Sequence, residues 1–442
     1  MKSLTQIKVE KLAMGGSGIA FQDGKAVFIP HTAPGDVVDA VITTEKKDHA
    51  FAKVTHYHSR GEGVTEVPCA AFDKEPFCGG CDWLMVDYDT QTAWKNALVQ
   101  ELFQSSIAPE NIAPIIPSPL PRHYRNKVYM PVGNEGYGIF APWSHEIVTH
   151  TACMNHPPIF DQIAQRTWEL CQKAKVEPYN EQTHTGTLRH IGLRSNKDHS
   201  EILLILVTRS GRLPFAGLIA KSLSSEFPQI QGIIQNINPE RGNVILGEKE
   251  KILHGVDHIF DRMSDLSFRI HYRSFWQINT GTMENITAAM RSCLTPHARV
   301  LDAYCGIGAI GLCLANEVQS VCGVEEVPEA VQDAGQNAAD NGINNAAFHC
   351  GRFEDLLPSL LAKESFDVMI LDPPRSGVDK SALEAILEAK IPQILYLSCA
   401  PMTLKRDLKL LSTAYDVTRL MSFDMFPNTW HIECLAVLSL KP

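Results

Sequence analysis

From residue 299 to residue 440, short apolar runs alternate with amphipathic, helix-forming stretches, and this leaves the carboxyl-terminal third very few architectures. Strands are expected at 299–303, 320–324, 347–350, 367–371, 393–398 and 414–423, with a last one near 434–440. Apolar runs without polar alternation suit strands covered on both faces. Regular strand–helix alternation predicts a doubly wound, mainly parallel sheet. Ligands of such sheets bind at the carboxyl ends of the strands, so residues just after each run are the first candidates for chemistry.

The 442-residue chain is long enough for about three domains. Residues 1–60 alternate apolar and polar positions between Gly15-Gly16, Asp23-Gly24 and Pro34-Gly35 turns, which predicts a five-stranded barrel of OB type. Residues 61–275 read as an α+β unit, with helices expected at about 91–103, 163–174 and 216–224 and a buried strand at 202–207. Residues 276–442 hold the doubly wound pattern. No run approaches the ~18 apolar residues of a membrane span, and Met1–Gln6 lacks the apolar core of a secretory signal. The expected location is the cytoplasm, without membrane association, and no obligate protein partner is evident. Twelve cysteines there argue for thiols or metal ligands rather than a disulfide framework. A formal charge of −10 weighs against nonspecific binding to a polyanion. Nucleic-acid contact must then rest on local patches, and Arg122–Lys127 and Arg269–Trp276 interleave cations with aromatics as phosphate contact and base stacking require. Strands with an exposed basic edge are the plainer alternative.

Three positions at the expected sheet edge carry chemistry. The 299–303 strand runs into Cys305-Gly306-Ile307-Gly308, where glycine allows a tight turn and close approach of backbone to a ligand. Glu325 closes the next strand, where a carboxylate accepts hydrogen bonds from ribose hydroxyls. The spacing D-x-x-x-G-x-G points to S-adenosylmethionine rather than a dinucleotide. Asp372 ends the fourth strand. Cys399 follows 393–398 and precedes Pro401, so its thiol is expected near a helix amino end with a lowered pKa. Cys305, Cys313, Cys322 and Cys350 are expected to be buried structural thiols. Glu433 stands in a loop rejoining the last strand, where an idle exposed glutamate would be the default. A thiol, a carboxylate and a nucleoside cofactor together suit methyl transfer to carbon 5 of a pyrimidine. Thiolate addition at carbon 6 makes carbon 5 nucleophilic, and a base then removes the carbon 5 proton.

These residues resemble the RNA (uracil-5-)-methyltransferases of the TrmA/RumA superfamily over nearly the whole chain. Asp372–Gly377 with Ile394–Cys399 is similar to the family's nucleophile signature, and Met425–Glu433 to its base motif. Phe275–Asn279 is similar to the segment whose glutamine contacts the cofactor. The resemblance implies a Rossmann-like class I methyltransferase domain, an α+β central domain and an amino-terminal TRAM barrel. It makes Cys399 the nucleophile, Glu433 the base, and Gln277, Tyr304, Glu325 and Asp372 the contacts to S-adenosylmethionine. It also implies that Cys69, Cys78, Cys81 and Cys153 hold a 4Fe–4S cluster; zinc would accept the same four thiolates, and spacing alone does not separate the two. The implied substrate is a uridine in structured RNA, 23S ribosomal RNA first and the tRNA T-loop second. A noncatalytic iron–sulfur RNA-binding protein is the reading from another class. The chain departs from the family at Ala309, Arg352 and Ala400, leaving the nucleophile and the base in place.

Overall fold

A computed structural model describes residues 2–150 and 152–442. Strands Ser3–Leu12, Gly18–Gln22, Lys25–Ile29, Val37–Glu45 and His49–Ser59 close into a barrel. Alternation in Val37–Glu45 turns Val38, Ala40 and Ile42 into its core. Closure leaves no unpaired edge to recruit another chain. The barrel is pinned where Trp83 donates from Nε1 to the carbonyl of Gly16, at 2.8 Å.

A second sheet has the order Lys249–Gly255, Ile230–Ile237, Ile202–Thr208, Leu188–Ser195, Lys127–Gly133, Gly136–Phe140 and Ile147–Thr149. Helices Pro158–Lys173 and Ala216–Glu226 cover one face through Phe160, Ile163, Trp168 and Leu223. The other face packs Leu203, Ile205 and Val207 against Ile259, Phe268, Trp276 and Met283. Burial on both faces is why Ile202–Val207 is apolar without a break. The first helix begins five residues before the expected 163, because Pro158 at its first turn loses no intrahelical bond.

The third sheet has the order Ala346–Cys350, Ser320–Glu325, Arg299–Ala303, Val368–Leu371, Gln393–Ser398, Glu433–Leu440 and Tyr415–Phe423. Its first five strands are parallel. The last two form an antiparallel hairpin whose final strand inserts beside Gln393–Ser398. Ser398 lies opposite Cys434 in that ladder. The next positions outward are Cys399 and Glu433.

Helix Tyr88–Phe103 starts three residues before the expected 91, since the Asp87 carboxylate accepts the Thr90 N–H at 2.9 Å. From this helix Lys95 reaches Asp424 at 2.6 Å, both side chains fully buried, and also donates to the Phe426 carbonyl at 3.0 Å. A buried charge deprived of its partner is strongly destabilising, whereas an apolar replacement of both partners is tolerated. Lys95→Met is expected to lower unfolding stability by about 3–5 kcal/mol, and Lys95→Met/Asp424→Leu to recover most of it. Urea denaturation of the three proteins checks this; a single-variant cost below about 1 kcal/mol would assign the pair the small value of a surface bridge.

Candidate active site

The turn after Arg299–Ala303 takes left-handed backbone at Tyr304 (φ 78°), Gly306 (φ 54°) and Gly308 (φ 80°). Asp302 is buried and accepts the Gly311 N–H at 3.0 Å, tying the turn to helix Ala309–Leu314. A Cβ at Gly311 would lie 2.9 Å from that carboxylate oxygen, so any side chain there would displace it. Glu325 accepts the N–H groups of Gly306 (3.1 Å) and Val327 (3.0 Å). A small cavity of about 50 Å³ opens over the turn, lined by Gln277, Tyr304, Gly306 and Asp372 with Met263, Phe275 and Ile307. Three of the expected cofactor residues thus share one wall, and Glu325 meets the cavity through Gly306. Ala309 also lines it. Burial, with the Asp302 carboxylate adding, pushes Asp372 up to about 7. Burial also raises Asp302 to about 7, with Glu325 contributing. Carboxylates crowded away from water favour a cation between them.

Cys399 is half-buried beyond Ser398, and helix Pro401–Leu411 starts two residues later with Ala400 as its cap. Its thiol is pushed up to about 11, chiefly by burial, with Glu433 and Asp372 adding and Arg375 opposing. This overturns the expectation of a lowered thiol pKa: removal of the thiolate from water outweighs whatever the nearby helix end returns. Glu433 is 2% exposed and begins its strand, which corrects the default of an idle exposed side chain. Burial, then Asp372, raises its carboxyl well above the ordinary range, with Arg375 opposing. Asp372 therefore lies within electrostatic reach of both Cys399 and Glu433, and those two share the Arg375 guanidinium as counter-charge. His431 is held neutral, pushed down to about 4 by burial and then by Arg375, Lys95 and Arg125. Sequence reasoning assigned no role to Arg375 or His431. The signal for Arg375 was its place in Asp372-Pro373-Pro374-Arg375, three residues after an acid at the sheet edge.

Cys69, Cys78, Cys81 and Cys153 are all half-buried and unbridged. Burial raises the Cys78 thiol to about 11, with Cys153 and Cys69 adding. Cys81 is raised well above the ordinary thiol range by burial, then by Cys153, Cys78 and Cys69. The four thiols thus lie within electrostatic reach of one another. The Gly80 N–H points at the Cys78 sulfur (3.4 Å) and Asn155 Nδ2 at the Cys81 sulfur (3.2 Å). Amide donors aimed at sulfur are how proteins steady and tune thiolate ligands. The donor set fits an all-thiolate group.

Two other expectations are revised. Cys350 is exposed on the outermost strand rather than buried, while Cys305, Cys313 and Cys322 are buried as expected. The Arg269–Trp276 patch is neutralised internally. Arg269 pairs with Asp333 (3.1 Å) and Arg273 with Glu250 (3.1 Å), and Tyr272 and Trp276 are buried, leaving Phe275 exposed. In Arg122–Lys127, Arg122 is exposed, while Tyr124 is buried with its hydroxyl donating to the Pro427 carbonyl at 3.1 Å. Among the described residues, Glu250, Asp257 and His271 bring three ligand atoms within 4.8 Å of one another. Arg273 and Arg269 already face the two carboxylates, so the group reads as an ion-pair network.

A family model described as tRNA (Uracil-5-)-methyltransferase matches residues 233–441, and one for the TRAM domain matches residues 4–55. An uncharacterized RNA methyltransferase of Halalkalibacterium halodurans is 37% identical, over 99% of this chain and 97% of its own. One from Listeria innocua is 38% identical over the same shares. Among solved structures, the Pyrococcus abyssi tRNA (uracil-54, C5)-methyltransferase in complex with S-adenosyl-L-homocysteine superposes with a TM-score of 0.80. It is 24% identical and covers 98% of this chain and 99% of that one. The chain belongs to the RNA (uracil-5-)-methyltransferase family, as the resemblance implied, and is an S-adenosylmethionine-dependent enzyme of that type. The Rossmann-like sheet and the TRAM barrel expected from the sequence are both present.

A thiol raised to about 11 is almost wholly protonated near neutrality, and its reactivity follows its thiolate fraction. In the ligand-free enzyme, alkylation of Cys399 by iodoacetamide is expected to accelerate roughly tenfold per pH unit between about pH 7 and pH 9. Peptide mass spectrometry reads the rate at that site. A rate already level below about pH 8 would mean that the thiol pKa is not raised.

Proposed function

We propose that this enzyme methylates carbon 5 of a uridine in structured RNA, with Cys399 as nucleophile and Glu433 as base. The observation that carries this reading is the ladder register: Ser398 opposite Cys434 sets Cys399 and Glu433 side by side, and Asp372, which lines the cavity, lies within electrostatic reach of both. The thiolate adds to carbon 6 and the electron pair moves onto carbon 5 as an enolate. Carbon 5 takes the methyl group from the sulfonium, leaving S-adenosylhomocysteine. Glu433 removes the carbon 5 proton, and the electrons of that bond restore the carbon 5–carbon 6 double bond as the thiolate departs. Arg375 holds down the cost of the anionic forms. A cationic donor in the cavity does the same for all three acids, which is why a sulfonium suits it better than a neutral ligand. Gln277, Tyr304 and Asp372 would line its binding place, with Glu325 bracing the turn. The 1–60 barrel and the 61–275 unit would present the RNA to the 276–442 unit, in the cytoplasm.

The same proposal gives Cys69, Cys78, Cys81 and Cys153 a 4Fe–4S cluster. Zinc, at ~2.3 Å from each sulfur, would draw the sulfurs to within about 4 Å of one another. Spacing does not separate the two, and the resemblance to the family favours the iron–sulfur centre. Its part is structural, because the methyl transfer moves no unpaired electron. Ribosomal RNA is the first substrate because the cysteines and the barrel together accompany that branch of the family. A tRNA substrate is the second, favoured by the description of the matching family model.

The test uses 23S ribosomal RNA fragments and tRNA carrying 5-fluorouridine, each with S-adenosylmethionine. Fluorine cannot leave as a proton, so a denaturation-stable protein–RNA adduct is expected with the ribosomal RNA, and none with Cys399→Ala. An adduct with tRNA alone would move the substrate, and no adduct with either would overturn the mechanism. Anaerobically purified protein is expected to contain about four iron and four sulfide per chain. Colourless protein holding zinc would contradict the cluster.

A further inference from the structure

The sulfur site and the glutamate loop are joined by a chain of amides whose polarity runs one way. Asn155 donates from Nδ2 to the Cys81 sulfur (3.2 Å) and to the Gly80 carbonyl (3.2 Å). Its Oδ1 accepts from Asn428 Nδ2 at 2.9 Å, and the same nitrogen donates to the Pro121 carbonyl at 3.1 Å. Asn428 Oδ1 in turn accepts from Gln91 Nε2 at 3.2 Å, while Gln91 Oε1 accepts the Asn428 N–H at 2.9 Å. All three side chains are buried. Each amide nitrogen also faces a carbonyl that can only accept, so none can flip without setting donor against donor or leaving a buried group unpaired.

Asn428 holds left-handed backbone (φ 67°) five residues before Glu433. The segment after Cys81 grips the same loop directly. The N–H groups of Asp82 and Trp83 reach the Asn428 carbonyl at 2.9 and 3.1 Å, and the Asp82 carboxylate accepts the Trp430 N–H at 3.2 Å. A displacement at the Cys81 sulfur therefore has a short, buried path to the strand start that carries Glu433.

We propose that Asn155 is a positioning residue for proton removal, tying the sulfur of Cys81 to the Asn428 loop so that filling of the sulfur site sets where Glu433 stands. This rests on the assignments of Cys81 as a cluster ligand and Glu433 as the base. A ligated thiolate accepts a stronger hydrogen bond than a thiol does. Assembly of the cluster thus tightens the first link, and the fixed polarity passes the constraint to Asn428.

Two variants separate the links. Asn155→Asp keeps an acceptor for Asn428 and loses the donor to sulfur; Asn155→Leu loses both. In the cluster-loaded variants, adduct formation with uridine RNA is expected at the wild-type rate while resolution of the adduct slows about tenfold. The cluster's reduction potential is expected to fall, because an N–H···S bond is lost. Amide hydrogen exchange over residues 426–432 should quicken about tenfold in Asn155→Leu, and likewise in wild-type protein stripped of its cluster by a chelator. Wild-type exchange in 426–432 after stripping, or wild-type adduct resolution in both loaded variants, would overturn the tie. If wild-type protein forms no adduct, the catalytic reading fails, and the exchange and potential measurements still judge the link between sulfur and loop.

Discussion

One register carries the proposed chemistry: the antiparallel pairing that sets Cys434 against Ser398. Parallel strands deliver Asp372 and Cys399 to one edge of the sheet, as any doubly wound fold would. The proposed base needs a different device, because Glu433 lies 34 residues beyond Cys399 and arrives from the opposite direction. Insertion of the last strand between its hairpin partner and Gln393–Ser398 supplies it. A slip of one residue would turn Glu433 to the other face of the sheet. The buried Leu435, Ala436 and Leu438 oppose such a slip, since it would exchange which of them face each side of the core.

Tertiary contacts fix the loop before that strand more firmly than its sequence does. Lys95 pairs with Asp424 in full burial, Gln91 saturates Asn428, and Tyr124 holds the Pro427 carbonyl. These partners lie about 300 or more residues apart in sequence. The result is a dry site in which Cys399, Asp372 and Glu433 all resist ionisation and Arg375 alone among the groups that shift them pulls the other way. Such a site disfavours each of its anionic forms, and a cation brought beside the carboxylates would oppose that.

Periodicity revealed much of this. The strand runs were recognisable because burial on both faces demands unbroken apolar stretches, and Asp372, Cys399 and the glycine turn followed from their places at strand ends. Burial itself was not readable. A helix starting at Pro401 suggested an acidic thiol, and only the enclosing side chains reverse that direction. The cations of Arg269–Trp276 looked available because Asp333 and Glu250, which neutralise them, are distant in sequence. Cys350 looked like its buried neighbours because nothing local marks its strand as the sheet's edge. Asn155 carried no signal, and Asn428 only its place within Met425–Glu433, since an amide's worth depends on which partners surround it.

The most direct test traps the intermediate on unmodified RNA. Glu433→Gln, incubated with uridine-containing substrate and S-adenosylmethionine, should accumulate a covalent complex because methyl transfer precedes the step that needs the base. After nuclease and protease digestion, tandem mass spectrometry should find the nucleotide on the peptide bearing Cys399, with the extra methyl group already on the uracil. A nucleotide attached to another cysteine, or an unmethylated uracil on Cys399, would contradict the account.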